Sequence, residues 1–165
     1  MITPREVLNT LLSDELFLNW KTENPESFLS HFFAPLNKEF ETKSNWEIGF
    51  FNNDKITVFV PVNGKFGIKP ADEIFKKPEA KVEQLNIEEV KLTFEDSLEL
   101  FKKNLPEEFP NTDLGDGFVI LQTYREKTLW NFTFITKKLK FINLKFNASS
   151  GELEDSQEVD LVQKS

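Results

Sequence analysis

Between Phe118 and Leu153 apolar and polar residues alternate through three successive runs, interrupted at Arg125-Glu126-Lys127 and at Lys137-Lys138. A period of two over runs of this length predicts an antiparallel meander with one buried and one wet face. The meander ends in Asn147-Ala148-Ser149-Ser150-Gly151-Glu152, a turn in which Gly151 can supply a positive φ. Upstream the period changes. Thr3-Pro4-Arg5-Glu6 has a capping Thr, a Pro at the first helical position and a Glu three residues after the cap, so a helix starts there. Val7, Leu8, Leu11, Leu12, Leu16 and Phe17 continue it as one apolar stripe. Asn24-Pro25-Glu26 predicts a second helix with Phe28, Leu29, Phe32 and Phe33 on its face, ending near Pro35.

Trp46 to Ile68 reads as two or three short strands. Asn52-Asn53-Asp54 makes one turn, and Asn63-Gly64 is a hairpin signal because a type I′ turn needs positive φ at both central positions. Pro61 between them suggests an edge position. Pro70 to Lys76 reads as a short helix. Lys77 to Leu92 reads as a connection tied down by Val82, Leu85, Ile87 and Val90. Thr93 caps another helix, with Asp96 three residues on and Pro106 as its stop; Asp113 to Gly117 is then a flexible turn into the meander. Glu152 to Ser165 is acidic and alternates weakly, as an edge strand or a fraying tail.

The order of elements hints at a repeat. Ser27 to Phe40 can be placed over Ser97 to Phe109, and Trp46-Glu47-Ile48-Gly49-Phe50-Phe51 over Trp130-Asn131-Phe132-Thr133-Phe134-Ile135. In each case a helix would precede a Trp-led pair of strands, with an added strand at Phe118 to Tyr124 in the second. A period of this length suits two small α+β units, not a solenoid. The expected architecture is therefore α+β: two tandem helix-on-antiparallel-sheet units in one compact domain, spanning 1–76 and 93–165 and joined by 77–92.

Composition changes this picture little. The chain has 165 residues, a formal charge of −8 and 18 Phe. So many Phe can stabilise a thin two-layer fold, and core filler favoured by an AT-rich coding bias accounts for them better than a ligand cavity does. The acidic balance, with Arg5 and Arg125 as the arginines, argues against nucleic acid and against an anionic membrane surface. Lys137, Lys138, Lys140 and Lys145 read as protection of a sheet edge. The absence of Cys removes disulfides, thiolate nucleophiles and zinc–thiolate sites. The charged, periodic start is unlike a secretory leader and no run reaches transmembrane length, so the expected compartment is the cytoplasm. The glycosylation-type triplets at Asn131 and Asn147 are then chance matches.

The Trp-led strand, the short basic turn, the second strand and the Asn147–Glu152 turn resemble PepSY and PepSY-like domains, over Thr93 to Leu153. Asn147 stands where that family usually has Asp, and Ser150 where it has Thr; both residue types make the same side-chain turn. The resemblance implies a cystatin-like layout, one helix across a small antiparallel sheet. It further implies a ligand-binding or peptidase-inhibitory role, in a family linked to secreted and envelope proteins, and it carries no catalytic residues.

The residues themselves offer little chemistry. His31 is the one histidine, and without Cys or a second His it cannot build a metal site or a triad unaided. Glu152, Glu154, Asp155, Glu158 and Asp160 lack cation-loop spacing and read as a solvated tail. Asp113-Leu114-Gly115-Asp116-Gly117 lacks a phosphate-loop pattern, and neither Glu88-Glu89 nor Glu107-Glu108 forms an acid/base pair. No catalytic, cofactor-binding or metal-ligating residue is assigned. The expectation is a non-enzymatic binding module for an unidentified protein or small apolar ligand. The alternative is an acidic inhibitor or immunity-type protein docking onto a basic enzyme.

Overall fold

The computed structural model describes residues 2–42, 44–69 and 81–161. Helices α1 (Pro4–Leu12) and α2 (Glu15–Glu23) lead into strands β1 (Phe28–Leu36), β2 (Glu47–Asn52), β3 (Lys55–Val62) and β4 (Lys65–Ile68). A 3-10 turn (Ile87–Glu89) and helix α3 (Phe94–Glu108) precede β5 (Leu114–Tyr124), β6 (Lys127–Thr136), β7 (Lys140–Asn147) and β8 (Leu153–Asp160). Among the described residues these strands form one antiparallel sheet in the order β4-β3-β2-β1-β5-β6-β7-β8.

That order overturns the expected pair of tandem helix-on-sheet units. The strands do not divide into two cystatin-like layers; they make a single eight-stranded sheet that dominates the fold. The join is β1 against β5, from His31↔Gln122 to Leu36↔Gly117. The error lies at Phe28 to Leu36, read as a helix and found as a central strand. Apolar residues at 28, 29, 32 and 33 satisfy a helical face, yet a strand flanked on both edges also reads as a nearly continuous apolar run. Pro35 is tolerated because β2 pairs with β1 only as far as Phe33.

Other boundaries move for local reasons. The first stripe is two helices. Asp14 ends the first turn and caps α2, accepting from Phe17 N at 3.2 Å, while its second oxygen accepts from Phe66 N at 3.3 Å. In α3 the Thr93–Asp96 capping box forms, and the helix passes through Pro106 to Glu108 instead of stopping there. Within Asp113 to Gly117, the stretch from Leu114 on is the start of β5 with a bulge, not a free turn. Of the two readings of the acidic end, the edge strand is the one found, as β8 from Leu153 to Asp160. Pro61 lies on β3, an interior strand, but past the last residue that β2 pairs. The helix read at 70–76 lies outside the described residues.

The predicted turns are present. Asn53 (φ 48°) and Asp54 (φ 64°) join β2 to β3, while Asn63 (φ 49°) and Gly64 (φ 78°) join β3 to β4. At Asn147 the side-chain Oδ1 accepts from Ser149 N and Ser150 N, and Gly151 sits at φ 81°.

Side chains of directly paired residues share a face. One face carries the cross-sheet row Phe59, Ile48, Phe32, Leu121, Trp130 and Phe146, all buried. The helices cover this face. Phe17 of α2 packs on Phe50 and Phe59, Phe101 of α3 stacks on Phe132 and Phe134, and Val7, Leu8 and Leu11 of α1 belong to the same cluster. Residues 81–92 are tied to the body by Leu85 N donating to Leu29 O and by Lys91 N and Leu92 N donating to Ala148 O.

Candidate binding face

The face turned away from the helices is built by the same pairings one residue out of step. Its central row runs Glu47, Phe33, Ile120, Asn131, Lys145 and Asp155. The next row runs Val58, Gly49, His31, Gln122, Leu129 and Asn147. The surface therefore divides along the β5–β6 boundary. Over β3, β2, β1 and β5 it is mainly apolar, with Glu47, His31 and Gln122 among its residues: Phe28 and Phe51 pair with ring centroids 5.3 Å apart, and Phe33 and Phe118 pair at 5.5 Å. All four rings are half-buried.

Over β6, β7 and β8 the face is polar and internally bonded. Asn143 Nδ2 donates to Asn131 Oδ1 and, at 2.8 Å, to Thr133 Oγ1. Lys145 Nζ donates to Asn143 Oδ1 at 2.6 Å and pairs with Asp155 at 3.2 Å. Lys127 pairs with Glu154 at 2.8 Å, which holds that carboxyl below and that ammonium above their ordinary pKa ranges through a hydrogen bond. At the apolar end Lys69 pairs with Glu47 at 3.2 Å, its Nζ 6.0 Å from the centre of the Phe33 ring. These charges balance one another locally.

His31 sits in the middle of the apolar half, on a strand and not on the expected helix. Its Nδ1 lies 2.9 Å from Ser30 Oγ, and burial pushes its pKa down to about 4, so the ring is neutral at pH 7. The imidazole lies over Gly49, where a Cβ would overlap it. Of the acidic residues read as a tail, Glu154, Asp155, Glu158 and Asp160 lie along β8, paired with Lys127, Lys145 and Lys140. Among the described residues no group of three His, Cys, Asp or Glu is placed to hold a metal ion. No described helix is long and apolar enough to cross a membrane.

The aromatic pairs were not singled out from the sequence, although a signal was there. Phe32-Phe33 and Phe50-Phe51 are doublets, and adjacent residues of a strand point to opposite faces. Once such a doublet lies in a strand, one ring must stand on the uncovered side.

No family model matches this chain. No curated protein matches it either. A crystal structure of a "putative lipoprotein" from Clostridium difficile 630 is similar at 8% identity and a TM-score of 0.47, over 87% of this chain and 90% of that one.

Proposed function

We propose that this chain is a non-enzymatic binding module that engages a protein partner through the sheet face left open by the helices. The observation that carries this reading is the pair of half-buried aromatic contacts, Phe28–Phe51 and Phe33–Phe118, on that face. Aromatic anchors beside a polar, hydrogen-bonded surround are the arrangement that concentrates binding energy at protein interfaces. The formal charge of −8 supports a partner with a basic surface, attracted over long range and held at short range by apolar contact. An inhibitor or immunity-type role is the form of this reading that the charge favours.

An internal repeat within the one sheet belongs to the same proposal. Its support is local: Trp46 Nε1 donates to Ile2 O, just ahead of the Thr3 cap, and Trp130 Nε1 donates to Leu92 O, just ahead of the Thr93 cap. The helix segments set against each other in the sequence do not correspond, since one of them contains β1.

The test compares capture from native lysate by the whole chain and by Phe33→Asp and Phe118→Asp variants, with melting curves of each. A protein retained by the parent, released by salt, and lost from both folded variants is the expected result. Retention unchanged in both variants would remove the open face from the proposal.

A further inference from the structure

A second surface feature lies away from the open face, where α1, the 3-10 turn and α3 all begin. A cavity of about 260 Å³ opens there, with Ile2, Ile87, Val90, Leu92 and Phe94 on its walls and Trp130 at its bottom. The Trp130 indole N–H is already spent on Leu92 O at 3.2 Å, so the ring offers the cavity only apolar surface. The charged residues that line it are Arg5, Lys91 and Glu95. Arg5 and Glu88 are bound to each other through two contacts of 2.8 and 3.3 Å.

We infer that this cavity is a binding site for a small uncharged apolar molecule. Size, lining and charge each contribute to that assignment. An apolar cavity of ~150 Å³ holds benzene, so the present volume suits a molecule of about ten non-hydrogen atoms. Walls of Ile2, Ile87, Val90, Leu92 and Phe94 reward apolar contact, and a polar group buried among them would be left unmatched. Glu88 neutralises Arg5 from outside the lining, and Lys91 and Glu95 are of opposite sign, so there is no net attraction to an anionic or cationic head.

The site is independent of the sheet face, and the experiment separates the two. The indole N–H resonances of Trp20, Trp46 and Trp130 in the whole chain are followed while 1-octanol, octanoate or octylamine is added. Octanol is expected to shift the Trp130 signal saturably, with Trp20 unmoved, and the two charged analogues to bind at least tenfold more weakly. Val90→Phe, which fills the cavity from its wall, should abolish the octanol response in a protein whose spectrum stays folded. Phe33→Asp should leave it unchanged. No saturable shift with octanol, equal or tighter binding of either charged analogue, or an undiminished response in folded Val90→Phe would each overturn the assignment.

Discussion

The indole rings of Trp46 and Trp130 lie 5.7 Å apart, centroid to centroid, although β1 and β5 run between the strands they belong with. Trp46 immediately precedes β2 and Trp130 is within β6, and both are fully buried. Each also contacts Phe94, the first residue of α3, at 5.6 and 6.1 Å. One aromatic cluster thus fastens the first half of the chain to the second on the helix-covered side, above the strand pair that joins them within the sheet.

Trp46→Phe keeps most of the ring contact but leaves Ile2 O without its donor. The expected loss is about 1 kcal/mol. Trp46→Ala removes the ring as well and should cost roughly 3–5 kcal/mol. Urea unfolding of the three proteins measures both steps. Equal losses in the two variants would mean that the hydrogen bond, not the packing, dominates.

Because β1 covers one edge of β5, a chain beginning at Val90 would expose the backbone of Gly117 to Gln122 and lose the Trp46 contacts. It should lack a sharp melting transition and bind a dye specific for apolar surface, whereas the whole chain melts once. A well-folded, monomeric fragment would show that the second half is stable without β1.

Gly49→Ala places a Cβ within the His31 imidazole. Displacing a half-buried ring should destabilise by roughly 1–3 kcal/mol. Adding His31→Ala relieves the overlap, so a double-mutant cycle should show a favourable coupling of similar size. Additive losses would mean that the ring moves aside without cost.

His31 titrates at about 4 in the folded chain against 6.5 when unfolded. Between those values the unfolded state takes up a proton that the folded state refuses, so stability falls as pH drops from 6.5 towards 4. The contribution is complete above pH 6.5 and amounts to ~1–3 kcal/mol. Urea midpoints of the parent and of His31→Gln, measured from pH 7 to 4, isolate it from the carboxylates. Parallel curves for the two proteins would exclude a depressed His31.

Gly64→Val puts a β-branched residue at φ 78° in the β3–β4 turn. No neighbouring atom blocks a Cβ there, so the cost is backbone strain alone, about 1–2 kcal/mol by thermal or urea unfolding.

Much of this fold was legible in the sequence wherever a local cause acts within a few residues. The alternation over β5, β6 and β7, the turns at Asn53-Asp54 and Asn63-Gly64, the Thr3 and Thr93 caps, and the Asn147–Gly151 turn all follow from period, positive φ and side-chain acceptors. The candidate face was not legible, because it depends on which strands are neighbours. Phe28 to Leu36 carries spacing that serves a helix or a strand, and its partners Glu47–Phe51 and Gly117–Gln122 lie far along the chain. Burial between β2 and β5 selects the strand, since there its apolar side chains and its backbone groups are satisfied together. That choice fuses the two halves into one sheet, sends one ring of each Phe doublet to the open side, and sets His31 over Gly49. Local sequence determined the turns and caps; long-range pairing decided the face.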